Sequence, residues 1–315
     1  MLKLKLEIAR NIIIDRPLPE VNQVLSKFET WPHWSPWICM DKQTQLDFFG
    51  KPGAPGSGYR WSSQWIGEGE VQLQSLTDDT LQLQLNFFTP WRSEAKASFQ
   101  LKAVEDERTE VTWTLQGSLT LLLFFMKSTM EASIGRDYER GLLMLKDYLE
   151  TGTVWSDTEV CGIINVPGID YLGIRRACMI GEIGVDIKSA RADLFSEFKQ
   201  AGLKQIAAPF TLIHEWNQKT GRCDFTFASP ITTLPANLQI AGLVQSARPS
   251  VKALKLRHSG EYRHLGNAWA TGFSRIQKDK TMRLNKHQAG FEVYVSDPAE
   301  TAVKDLHTEV FIPVL

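Results

Sequence analysis

VKALKLRHSGEYRHLGNAWATGFSRI, residues 251–276, sets the pattern of the C-terminal half. Its first ten residues read as a strand. Those that follow, over about 261–278, place Tyr262, Leu265, Trp269, Phe273 and Ile276 at helical spacing. Two more strands come next, FEVYVSD at 291–297 and HTEVFIPV at 307–314. The same order occurs earlier: a strand IDYLGIRRAC (169–178), a helix over about 184–202 carrying Ile187, Leu194 and Phe198, then strands PFTLIHEW (209–216) and RCDFTFAS (222–229). A repeated β-α-β-β unit predicts two modules joined in one curved sheet, with both helices on a single face. The stretch joining the modules is long and reads as irregular.

The N-terminal half follows a different grammar. Residues 4–14 alternate, with Leu4, Leu6, Ile8 and Ile12 on one face, and Leu18, Val21, Leu25 and Phe28 follow Pro17 at helical spacing. GKPGAPGSG at 50–58 is a loop by its glycines and prolines. Then come strands of clean alternation. Tyr59, Trp61 and Trp65 oppose Arg60, Ser62 and Gln64; Leu81, Leu83, Leu85 and Phe87 oppose glutamines and Asn86; Phe99 and Leu101, then Val111, Trp113 and Leu115, repeat the pattern. This predicts an antiparallel sheet with one wet face and one apolar face. Residues 125–150, with Met130, Ile134, Tyr138, Leu142, Leu145 and Leu149, predict a long amphipathic helix to cover it. TGTVWSD at 151–157 reads as a linker.

Composition narrows the function classes. The chain has 315 residues, 43% hydrophobic and 23% charged, with a net charge of −1. A near-neutral chain without clustered Lys and Arg is not expected to bind nucleic acid directly or an anionic membrane. Cys39, Cys161, Cys178 and Cys223 are scattered without a C-x-x-C pair, which favours reduced cysteines in a cytoplasmic protein. LTLLLFF at 119–125 is too short to span a bilayer, and the N-terminus lacks the apolar core of a signal peptide. The six histidines show no metal-ligand spacing, and there is no nucleophile elbow, P-loop or dinucleotide fingerprint. No metal or cofactor is expected. Composition does not fix the oligomeric state.

Two resemblances follow from particular motifs. RPLPEVNQVL, FETWPHWSPWI, GKPGAPGSGYRWSSQW, GEGEVQL and GRDYERGLLMLKDYLE make residues 1–150 resemble the polyketide-cyclase-like branch of the START (SRPBCC) superfamily. That resemblance implies a helix-grip fold with an apolar cavity. HSGEYRHLGNAW, FEVYVSDP and TEVFIPV make residues 158–315 resemble the GyrI-like small-molecule-binding domain, also found as the effector-binding part of some bacterial transcription activators. Similar domains place a glutamate in the ligand cleft, at the position matched here by Glu292. The helix-turn-helix that precedes the effector domain in such activators is replaced by the first domain, so direct transcriptional control by this chain is not expected. The expected fold class is α+β: a START-like helix-grip domain followed by a duplicated β-α-β-β effector-binding domain.

The candidate site residues can be weighed one at a time. In FEVYV, Phe291, Val293 and Val295 share one face, and Glu292 and Tyr294 the other. If the apolar face packs on the helices, Glu292 and Tyr294 point into the concavity of the opposite face. From spacing alone a solvated sheet surface is the commoner place for such a carboxylate; the resemblance reverses that preference. A carboxylate walled by rings suits an amphipathic, aromatic or cationic guest. Trp216, Tyr171, Trp269 and Tyr262 are the candidate walls, although Trp269 and Tyr262 also fit the packing stripe of their helix. Glu309 fits an edge-strand surface charge better than a second acidic group. In the first domain Trp61, Trp65 and Trp113, with Phe87 and Phe99, face the expected interior, and Trp34 and Trp37 lie near its mouth. A planar hydrophobic guest and a solid aromatic core fit them equally. The expected function is non-catalytic binding of a small molecule. The alternatives are a hydrolase with Glu292 as general base, as in some GyrI-like relatives, or a gyrase-inhibitor-like protein interaction.

Overall fold

The computed structural model describes residues 3–232 and 243–315. The chain forms two compact units, Met1–Val154 and Trp155–Leu315. The first holds seven strands: β1 (Lys3–Ile14), β2 (Gln45–Phe49), β3 (Gly58–Ser63), β4 (Gly67–Leu76), β5 (Thr80–Thr89), β6 (Ser93–Glu105) and β7 (Arg108–Thr120). They form one antiparallel sheet in the order β1-β7-β6-β5-β4-β3-β2. Helix α1 (Leu18–Ser26) follows β1, and α2 (Lys127–Thr151) follows β7.

The alternation of the strands sets which face packs. Leu81, Phe99 and Trp113 lie side by side on β5, β6 and β7, and all three are buried. α2 brings Tyr138, Leu142 and Leu145 onto that face. The Trp113 ring is sandwiched, stacked on Tyr138 at 3.9 Å and on Phe99 at 4.8 Å. A Cβ on Gly141 would stand 2.9 Å from both Trp113 and Pro36, so a side chain there would hold the helix away from the ring. α2 ends on Gly152, whose φ of 77° is the left-handed conformation glycine adopts at low cost.

The tryptophans are placed differently from the sequence reading. Trp34, expected near a cavity mouth, is fully buried with its ring 5.9 Å from Trp113. The reason is local: Phe28–His33 and Ile38–Met40 fold as tight 3₁₀ turns pressed into the sheet, and Trp31, not singled out from sequence, is anchored there by its indole N–H donating to the Leu25 carbonyl at 3.0 Å. Trp113 is core, not the wall of an open space. Trp65 lies in the turn between β3 and β4, while Trp61 is partly buried against Phe87 at 5.8 Å.

The second unit contains β8 (Ser156–Val166), β9 (Ile169–Met179), α3 (Ile183–Gln200), β10 (Phe210–Asn217), β11 (Arg222–Pro230), β12 (Leu243–Arg248), β13 (Val251–Gly260), α4 (Leu265–Lys278), β14 (Gly290–Tyr294) and β15 (His307–Pro313). Its eight-stranded antiparallel sheet runs β12-β9-β11-β10-β14-β15-β13-β8. The order is a pseudo-two-fold: each repeat contributes three strands in mirrored sequence, and the repeats meet at β10 and β14. Their edges are exchanged, because β8 leads into β9 yet pairs with β13, and β12 leads into β13 yet pairs with β9. Sequence reading missed both edge strands. Part of the stretch expected to be irregular between the modules is β12, and residues 233–242 of it lie outside the described residues.

Both helices pack on one face. Leu194 and Phe198 of α3 meet Phe225 and Phe227, and Ala268 and Ile276 of α4 meet Leu254, Leu256, Val310 and Ile312. The other face carries a separate cluster of Tyr171, Phe210, Leu212, Val251, Phe291 and Phe311.

Candidate functional site

The pseudo-two-fold axis passes between Thr211 on β10 and Glu292 on β14, which are directly paired, flanked by the pairs Phe210↔Val293 and Leu212↔Phe291. Because side chains alternate along a strand, Phe291 takes the face away from the helices. There it stacks on Phe311 at 4.6 Å beneath the Arg248 guanidinium at 4.4 Å. Glu292 and Tyr294 therefore point toward the helices, into the space between α3 and α4. This reverses the expectation that they face away from the helices: both faces of β14 are apolar enough to pack, so its alternation could not say which one the helices cover.

Glu292 is buried, with 7% of its surface exposed. Its Oε1 accepts the indole N–H of Trp269 at 2.5 Å and its Oε2 accepts the Tyr294 hydroxyl at 2.9 Å. The Thr211 hydroxyl lies 2.9 Å from the Tyr294 oxygen. Tyr294 has one hydrogen and gives it to the carboxylate, so Thr211 donates to Tyr294. The result is a directed chain from Thr211 through Tyr294 to Glu292, closed on the other side by Trp269. Among the described residues no Lys or Arg is paired with this carboxylate. Burial raises the Glu292 pKa above the ordinary carboxylate value, against the lowering by its two donors. Burial and the adjacent carboxylate also raise Tyr294 well above the usual phenol value.

Of the rings around the carboxylate, Tyr262, Trp269 and Tyr294 are half-buried, Phe273 is exposed and Phe227 is fully buried. Tyr262 meets Tyr294 edge-on at 5.5 Å, Trp269 stacks on Phe273 at 5.9 Å, and Phe227 stacks on Tyr294 at 6.1 Å. A Cβ on Gly290 would come within 2.7 Å of the Trp269 ring, so this glycine lets the indole lie flat against β14 beside Glu292.

Of the residues singled out from sequence, Glu292, Tyr294, Trp269 and Tyr262 are brought together. Tyr171 is not: it is buried on the opposite face against Phe210 at 5.4 Å. Trp216 is on the helix face, but five residues along β10 from Thr211, about 17 Å at strand rise. Thr211 was missed, although FTLI at 210–213 sits in its repeat where FEVY sits at 291–294. Glu309 forms an ion pair with Lys255 at 2.6 Å. Among the described residues no group of three or more His, Cys, Asp or Glu could hold a metal ion, and no helix is long and apolar enough to cross a membrane.

Residues 161–315 match the family model of the GyrI-like small molecule binding domain. The second unit is a GyrI-like domain. No protein of curated function matches the chain. Among solved structures, the EcmrR–DNA complex in EcmrR-RPo is similar at 17% identity with a TM-score of 0.43, covering 61% of this chain and 67% of that one. The EcmrR C-terminal domain is similar at 18% identity and a TM-score of 0.40, covering 51% of this chain and 99% of that one. The Aha1 dimer from Colwellia psychrerythraea is similar at 23% identity and a TM-score of 0.35, covering 47% of this chain and 98% of that one.

Proposed function

We propose that the GyrI-like domain binds an amphipathic aromatic cation in the cleft floored by Glu292, without chemical change to the guest. The observation that carries this is a buried carboxylate held by two neutral donors and, among the described residues, paired with no Lys or Arg. An ionised group out of water is unfavourable without a compensating charge. Two hydrogen bonds orient the oxygens but leave the charge uncompensated, and a guest cation supplies what is missing. The surrounding rings of Trp269, Tyr262 and Tyr294 add dispersion and cation–π attraction. Equilibrium titration with N-methylacridinium, a permanent planar cation, against neutral acridine at pH 8 tests the reading. Tighter binding of the cation supports it, and equal or absent binding of both refutes it.

A second reading has one observation in its favour. A carboxylate whose pKa is raised by burial is suited to take a proton from water, and Glu292 is such a group. Turnover of an activated ester that Glu292→Gln abolishes would establish a hydrolase. For the first unit we propose a START-like helix-grip scaffold, on the support of its seven-stranded sheet and long covering helix. The stacking of Trp113 between Phe99 and Tyr138 favours a packed core there over an open second cavity.

A further inference from the structure

The pseudo-two-fold permits the two ends of the cleft to be compared residue by residue. Each helix is preceded by a 3₁₀ turn, Ile180–Glu182 before α3 and Tyr262–His264 before α4. Counting from these turns, Ile180 stands where Tyr262 does, Ile187 where Trp269 does, and Arg191 where Phe273 does. On the strands, Thr211 is equivalent to Glu292 and Ile213 to Tyr294. Both strands are irregular just beyond: the β10 register shifts between Ile213 and Glu215, and Val295 and Ser296 both donate to the His307 carbonyl. Past these irregularities Trp216 is equivalent to Asp297.

The end of the cleft beyond Tyr294 is filled and tied. The Tyr262 and Tyr294 rings occupy it, the Tyr262 hydroxyl donates to the Ser296 carbonyl at 3.1 Å, and Arg191 pairs with Asp297 at 3.0 Å, joining one repeat to the other. At the opposite end the equivalent positions hold Ile213 and Ile180, which are smaller and carry no hydroxyl. The counterpart of the Arg191–Asp297 pair is Phe273 and Trp216, two rings 45% and 43% exposed. Phe273 stacks on Trp269, whose indole N–H reaches Glu292, so an aromatic surface runs from the carboxylate outward to solvent.

We propose that the guest enters and lies at the Phe273–Trp216 end of the cleft, with its cation at Glu292 and its rings along Trp269 and Phe273 above Ile213. The Arg191–Asp297 end stays closed. This rests on the reading of the cleft as a site for an aromatic cation. The physical reason is that isoleucines in place of the two tyrosine rings, and exposed Phe273 and Trp216 in place of the ion pair, make this the less filled and the more exposed of the two ends. Trp216, about 17 Å along the strand from Thr211, stands at the mouth.

Titration of the full chain with N-methylacridinium separates the possibilities. Ile213→Tyr installs the ring of the filled end and is expected to weaken binding more than tenfold. Phe273→Ala removes a stacking partner and is expected to weaken it about two- to tenfold; it covers the case in which Ile213→Tyr does not fold. Arg191→Ala is expected to stay within twofold of wild type. If Arg191→Ala weakens binding as much as Phe273→Ala, or a folded Ile213→Tyr binds as tightly as wild type, the guest lies at the other end and the present inference is overturned, although the cleft reading stands. If wild type binds no better than Glu292→Gln, the cleft reading itself fails.

Discussion

Glu292→Gln keeps the shape of the side chain and removes its charge. The glutamine oxygen still accepts from Trp269. Its amide nitrogen donates to the Tyr294 oxygen, and Tyr294 turns its own hydrogen to the Thr211 hydroxyl, so the chain is kept with its direction reversed. The empty cleft should therefore survive the change. Binding of a cation should not. A hydrogen bond or close contact to a charged group contributes about 1.5–3 kcal/mol, and a pair of charges near 4 Å interacts by about 4 kcal/mol at an effective dielectric of 20 before desolvation of the guest is counted. A net loss of about 2 kcal/mol corresponds to roughly thirtyfold weaker binding of N-methylacridinium, while neutral acridine should change by less than threefold. The pH dependence follows with its sign. The folded-state pKa of Glu292 is raised, so the empty native state favours the protonated acid, and stability present below the ordinary carboxylate pKa is lost as pH rises through the raised value. A permanent cation prefers the ionised form, so its affinity should rise with pH across that window, with proton release on binding. Isothermal titration in buffers of different ionisation enthalpy measures both. Equal weakening of the charged and neutral compounds, or an affinity for the cation that does not change from pH 4 to 8, would refute the electrostatic role.

Other expectations follow from the same contacts. Thr211→Val removes the donor to Tyr294 and should cost about 1 kcal/mol of stability in urea unfolding, with a smaller effect on guest binding than Glu292→Gln. Gly290→Ala should displace the Trp269 ring and weaken guest binding, read by titration and by a shift in tryptophan fluorescence. Trp113→Ala opens a hole in the aromatic stack of the first unit and should destabilise it by about 3–5 kcal/mol, seen as a lowered unfolding temperature with the guest affinity of the second unit unchanged. His258 is fully buried, and burial lowers its pKa from 6.5 to about 4. The unfolded state then binds more protons between those values, so acidification from pH 6.5 to 4 should cost on the order of 3 kcal/mol; His258→Gln should flatten that part of the urea-midpoint profile.

The strands of both halves were legible because a half-buried antiparallel strand must alternate, and Leu81, Leu83, Val111 and Trp113 do so against Gln and Thr. The two amphipathic helices of the C-terminal half were legible for the same kind of reason. The edge strands β8 and β12 were not, because each sits beside a strand of the other repeat and little of its own pattern states a partner. The site was partly legible. FEVY separates Glu292 from Phe291 by parity alone, but parity says only that they face apart. It cannot say which side the helices take, and that decision reversed the expected direction of Glu292. Tyr171 was misplaced for the same reason, since its strand packs on both faces.

The sequence by itself determined the α+β class and the duplication, because these follow from periodicities of 2 and 3.6; a carboxylate among aromatic residues was what the GyrI-like resemblance of FEVY implied, since spacing alone favoured a solvated surface for Glu292. Only the tertiary structure decided that Thr211 meets Glu292 on a two-fold axis, that Cys178 and Cys223 stand directly opposite on neighbouring strands, and that Trp34 is core. Each of these joins positions far apart in the chain. Strand register and the choice of packed face are set by the summed fit of the whole sheet, which no local stretch of residues contains.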